Sequence, residues 1–226
     1  MLRKIIFPLL LGAVGSGALI SLGIWQVQRL DWKEDILAGI EARLAAPPVP
    51  VPLAGREEDD EYKRVTLAGA PTGEELHVLV SGTTAGTGYR VISKFLLETG
   101  AVIMVDLGLL PLDAKDAEPV TDFMQINGTL LWPDDQNSNT PPPDLEKNIW
   151  FARDVDTMAR VLSTRPLMVV ATDTTPADPR LTPLPVEAVG IKNDHLEYAI
   201  TWFLLALVWA IMTLFLLSRT IRQKDA

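Results

Sequence analysis

Two stretches of twenty residues without a charge, one near each end, constrain this chain more than any other feature. Ile5–Ile24 and Tyr198–Leu217 each have the length of a helix crossing a hydrocarbon core about 30 Å thick. Trp, Tyr, Arg or Lys border both runs, as a membrane interface favours. The bases outside them set a direction. Arg3 and Lys4 precede the first run, and Arg219, Arg222 and Lys224 follow the second. Both termini then face the cytoplasm, and the middle of the chain lies on the other side, which in a bacterium is the periplasm. The expected organisation is a cytoplasmic N-terminus at 1–4, a first span at 5–24, a periplasmic domain at 25–197, a second span at 198–217 and a cytoplasmic tail at 218–226.

A cleaved signal peptide is the other reading of the first run, with small residues at Gly15-Ser16-Gly17-Ala18 as a cleavage site. The apolar stretch continues to Ile24, beyond the usual hydrophobic region of such a peptide, which favours an uncleaved anchor. No Arg- and Ser-rich amphipathic segment precedes it, which favours a bacterial protein over one imported into an organelle. Gly12/Ser16 and Ala13/Gly17/Ser21 follow the small-xxx-small spacing that lets helix backbones approach closely. The bulky second span, with Trp202, Phe203, Trp209 and Phe215, is one partner for that face, and another protein is the alternative.

Composition narrows the function classes. The chain carries a net charge of −9, and residues 31–194 hold 27 of its 29 acids against 14 of its 20 bases. Nucleic-acid binding needs clustered positive charge, so nucleic acid is not an expected partner. The absence of Cys excludes disulfides, iron–sulfur ligation, thiol nucleophiles and covalent c-type haem attachment.

Between the runs, Trp32–Leu44 reads as a short amphipathic helix, ended by the extended, Pro-rich segment Ala46–Pro52. Glu57–Glu61 reads as a solvated acidic loop. Strand signals follow at Arg64–Ala68, Glu75–Val80, Tyr89–Leu97, Ala101–Leu107, Met124–Leu131 and Leu167–Ala171. Glu98-Thr99-Gly100 suits a hairpin, Gly86-Thr87-Gly88 a turn, and Trp132–Asp144 a long exposed loop. Asp154 is placed to cap a helix running to about Ser163. The expected fold class is α+β: two transmembrane helices flanking a mainly antiparallel β-sheet or small barrel domain with one or two helices. No Gly-rich phosphate loop or acid pair stands out, and His77 lacks an evident orienting neighbour, so no enzyme is expected.

The informative residues sit where the runs end. On a helix continuing from the first run, Trp25, Arg29 and Trp32 share a face, with Gln26 and Lys33 beside it. They form an interfacial belt of aromatic and cationic groups or part of a site. Ahead of the second run, His195, Ala199, Trp202 and Ala206 also share a face. His195 either hydrogen-bonds headgroups or Asp194, or ligates haem iron axially, with Ala199 leaving room for a flat macrocycle.

Gly23-x-Trp25-Gln26-x-x-Arg29-x-x-Trp32-Lys33 and His195-Leu196-x-Tyr198-Ala199-x-Thr201-Trp202-Phe203 together resemble the Surfeit-locus family of cytochrome c oxidase assembly proteins. Gly88-Tyr89-Arg90-Val91 and the stretch Asn139…Trp150…Asp154 fit the family's weaker middle pattern. The resemblance implies a chaperone-like assembly factor for an aa3-type haem–copper oxidase of the respiratory chain, in the bacterial inner membrane. It implies transient binding of haem a, with His195 as iron ligand. On that reading Tyr198, Trp202 and Trp25 are expected about the ring, and Arg29 at the level of the propionates. The implied partners are the oxidase catalytic subunit and membrane lipid, with haem a synthase as a further one. A structural accessory protein that stays bound to the oxidase without handling haem is the alternative. Two departures stand out. Asp106-Leu107-Gly108-Leu109-Leu110-Pro111 lacks the family's Arg-Gly-aromatic segment, and Asn193-Asp194 precedes His195 in place of two Asn.

Overall fold

The computed structural model describes residues 2–186 and 193–222, with side chains from residue 6 onward. Ile191, Lys192 and Lys224, and the side chains of Arg3, Lys4 and Ile5, lie outside the described residues. The chain divides into two units, Met1–Gly39 with Ala188–Ala226, and Ile40–Glu187.

The first unit is built on helices. α1 runs unbroken over Leu2–Ala45, and α4 over His195–Arg222. At 1.5 Å per residue these are about 66 and about 42 Å long, each more than a hydrocarbon core requires. In the most apolar window of each helix only 11% of residues are buried, so neither is the core helix of a water-soluble domain. Two helices thus have the length and apolar surface of membrane spans. The amphipathic segment Trp32–Leu44 is not a separate helix but the continuation of α1: no Gly-Pro or turn chemistry interrupts the chain between Ile24 and Leu44.

The two helices pack antiparallel along a seam of small residues. A Cβ added at Gly12 would overlap Thr213, one at Gly15 would overlap Trp209, and one at Gly23 would overlap Phe203. The seam takes Gly12 from the small-residue spacing seen in sequence and continues it through Gly15 and Gly23. Ala13, Gly17 and Ser21 face outward instead, and the Ser21 hydroxyl donates to the Gly17 carbonyl of its own helix.

The second unit is α+β. Its strands are β1 (Val49–Pro50), β2 (Arg64–Thr83), β3 (Gly86–Leu97), β4 (Val102–Pro111), β5 (Met124–Leu130), β6 (Ile149–Trp150) and β7 (Met168–Thr175). β2 pairs with β3, β3 with β4, β4 with β7, β7 with β5, and β5 with β2, so five strands close on themselves as a small barrel. Only β4–β7 is parallel within that ring. The two strands expected at Arg64–Ala68 and Glu75–Val80 are halves of β2. Its first half pairs with β5 and its second with β3, and Gly69 belongs to both ladders. A side chain at Gly69 would run into the Leu96 carbonyl, so the corner requires glycine. A bulge between Pro71 and Glu75 absorbs the residues that read as a break.

Alternating side chains of this ring fill its interior with Val65, Leu67, Phe95, Ile103, Val105, Met124, Ile126 and Val169. On the outside, α3 (Val155–Leu162) lays Val155, Met158, Ala159 and Leu162 over Leu76, Val78, Ile92 and Met104. Asp154 caps α3 by accepting from the Thr157 N–H at 3.0 Å, as its position in sequence suggests. Residues 86–88 open β3, and the turn sits just before them, at Thr84-Ala85. Glu57–Asp60 forms one helical turn, α2, rather than a loop; four acids suit the positive end of that turn.

Asp106 on β4 is fully buried and accepts from Arg90 Nε at 2.6 Å, with Arg153 Nη1 at 3.5 Å. The next residues show what the missing Arg-Gly-aromatic segment has become. Leu107 packs in the barrel core, Leu109 bridges to Thr182, and Gly108 takes a φ of 119° against the Thr182 carbonyl. In this chain the segment is interior.

Candidate functional site at the helix ends

α1 carries Trp25, Gln26, Arg29 and Trp32 just beyond the first apolar run, and α4 begins at His195. Spacings of four and three put Trp25, Arg29 and Trp32 on one face, and the side chains realise it. The Arg29 guanidinium lies 5.7 Å from the Trp25 ring centre and 5.0 Å from that of Trp32. Both indoles are half exposed. This is a cation held between two aromatic faces, with its outer edge open.

Gln26 lies one residue round the helix and is buried. A buried carboxamide needs a partner, and it finds one on the other helix: its Oε1 stands 2.7 Å from His195 Nδ1. The seam thus ends in a polar contact, reading Gly12–Thr213, Gly15–Trp209, Gly23–Phe203 and Gln26–His195 from one end to the other. The sequence placed Gln26 only as a neighbour of the aromatic face. Its signal was there, three residues beyond Gly23 in a helical register of small residues.

Of the residues singled out in sequence, the structure brings Trp25 to Arg29, and His195 to Gln26. Ala199 and Ala206, on the His195 face, are the buried residues of α4. That face is turned toward α1, so Ala199 does not leave open space beside the imidazole. Trp202 is half-buried, and Tyr198 is 55% exposed on the flank of the helix next to His195.

The second unit contains a polar cluster that the sequence did not reveal. His77 does have an orienting neighbour: its Nε2 is 2.9 Å from Glu75 Oε1, and its ring tilts against Tyr89. Glu75 also receives Arg180, which in turn donates to Asp178. Burial alone would raise the Glu75 pKa, but the hydrogen bonds and charges of His77 and Arg180 outweigh it and hold the carboxyl below its ordinary value. Every charge here is answered by another, as in a structural network that ties β2 to the segment around residue 180. Among the described residues no group of three or more His, Asp or Glu is placed to hold a metal ion.

With the helix pair and its polar end described, comparison with known proteins decides the family. The model described as the SURF1 family matches residues 13–207, which takes in most of α1, the barrel, the first half of α4 and both boundary segments. The chain belongs to the SURF1 family. It is 29% identical over 209 residues to Surfeit locus protein 1 of Gallus gallus, covering 80% of this chain and 66% of that protein. The protein of the same name in Takifugu rubripes is 28% identical over 229 residues, with 87% and 90% covered. A SURF1-like protein of Monosiga brevicollis is 32% identical over 216 residues, with 86% and 82% covered. His195 and Gln26 both lie inside the matched span, so the contact that closes the seam is part of the SURF1 region of the chain.

Proposed function

We propose that this chain is a membrane-anchored assembly factor, without turnover of its own, that holds haem a through His195 and helps it enter the catalytic subunit of a haem–copper oxidase. SURF1 proteins are a family of cytochrome c oxidase assembly factors, and this membership supports the oxidase as the protein served. The observation that carries the haem reading is the imidazole itself. His195 stands at the start of an apolar helix with one nitrogen engaged by Gln26, which leaves the other for a ligand.

The donor set at the helix ends fits the group; with Ala199 buried, the ring would lie on the exposed Tyr198 flank of the helix. Haem bound here would supply an iron that takes a nitrogen ligand and propionates that pair with cations. His195 would hold the iron, and the exposed Tyr198 with the half-buried Trp202 would flank the ring. Arg29, steadied between Trp25 and Trp32, presents its guanidinium edge for charge-assisted hydrogen bonds to propionate oxygens. A single protein ligand suits a factor that must release its cargo.

The bases at the termini support an inner-membrane topology with both ends cytoplasmic and the barrel periplasmic. The barrel then faces the side on which the oxidase subunit and haem a synthase would be met.

The test is an absorption spectrum of the detergent-purified chain from cells able to make haem a, beside its His195→Ala form. A haem band lost in the variant supports the reading. A haem-free spectrum for both, with stoichiometric recovery alongside mature oxidase, replaces it with a structural accessory role.

A further inference from the structure

We infer that Gln26 is a positioning residue for His195, fixing the imidazole as the tautomer that carries its proton on Nδ1 and leaves the Nε2 lone pair free for iron. The inference rests on the haem reading above. Gln26 Oε1 is an acceptor only, and it faces His195 Nδ1 at 2.7 Å. A neutral imidazole meeting an acceptor at Nδ1 must keep its proton there, so Nε2 has none. Histidines that bind metals are ordinarily held this way, with the non-ligating N–H given to an oxygen that sets both tautomer and ring orientation.

The position of Gln26 on the other helix gives the contact a second effect. It couples the ring to the seam of Gly12, Gly15 and Gly23, so the orientation of the imidazole depends on the two helices being in register. Gln26 is itself buried, and the packing that covers it restricts the amide as well.

The chain contains only two histidines, which makes the inference directly measurable. His77 Nε2 faces a Glu75 carboxylate oxygen instead, so Nε2 of that ring carries a proton. Full-length, haem-free protein labelled with ¹⁵N-histidine, in detergent or nanodiscs, should therefore show Nε2 protonated in His77 and unprotonated in His195 at neutral pH. His195→Ala assigns the signals by removing one. Gln26→Leu should convert the His195 pattern into that of an exchanging imidazole, and Gln26→Glu, which keeps an acceptor, should preserve it. Ferric haem added to the same samples should bind about 10- to 100-fold more weakly to Gln26→Leu, with affinity largely restored in Gln26→Glu.

A wild-type His195 protonated on Nε2 would overturn the inference, as would a Gln26→Leu chain with unchanged tautomer and unchanged affinity. If His195→Ala loses haem while Gln26→Leu does not, this inference alone fails. If His195→Ala binds ferric haem as tightly as wild type, the parent reading fails, and with it the part of the inference that concerns iron.

Discussion

Glu75 shows how much a single side chain can hold in this protein. Its carboxylate is buried, and it accepts from His77 on its own strand and from Arg180, more than a hundred residues along the chain. Its pKa is depressed in the folded state because those hydrogen bonds and charges outweigh the cost of burial. A depressed carboxylate contributes stability that is complete above its unfolded value, near 4.5, and is lost as pH falls through the lower folded value. Glu75→Gln should cost about 1.5–3 kcal/mol at neutral pH. Its melting temperature should then fall less steeply than that of wild type as the pH drops below about 4.5. Parallel slopes in the two proteins would remove Glu75 from the acid limb. None of this cluster was legible in sequence, because His77, Asp178 and Arg180 meet only after β2 has bent and the chain has returned past residue 175. Gln26 escaped for a related reason. Its partner is the residue that sequence did single out, but the two are 169 positions apart.

At the scale of elements, reading apolar runs between turn residues served well. β3, β5 and the Glu98–Gly100 hairpin stand where such runs placed them, α3 follows its Asp154 cap, and β4 continues past Leu107 to Pro111. It failed where an element continues through residues that usually end one. Gly69, Pro71 and Gly73 read as a break, yet β2 passes through them by a corner and a bulge. The helix seam gives the sharpest element-scale prediction. A Cβ at Gly23 would lie 2.6 Å from the Phe203 ring, whereas one at Gly17 would meet nothing within 4 Å. Gly23→Val should lower the stability of the helix pair by about 1–3 kcal/mol. Gly17→Val, on the outward face, should change it by less than about 0.5 kcal/mol. An SDS titration followed by tryptophan fluorescence separates the two, since Trp209 lies against Gly15 in the same seam. Equal midpoints would mean that the small-residue seam does not hold the helices.

For the whole molecule, topology decides where any cargo is held. The chain has no Cys, so single introduced thiols report their side of the membrane without background. In intact cells, Glu58→Cys on the exposed acidic turn should react with an impermeant maleimide, and Arg222→Cys at the end of α4 should react only after permeabilisation. The reverse pattern would put the barrel in the cytoplasm, on the wrong side for the proposed role. The central claim is that the chain supplies haem a to an oxidase through His195, and the most direct measurement is the haem a content of that oxidase's catalytic subunit. It should be determined in cells lacking this chain and in cells carrying either wild type or His195→Ala. The account predicts a subunit short of haem a without the chain, restored by wild type and restored poorly by His195→Ala. A full complement of haem a in cells without the chain would contradict it.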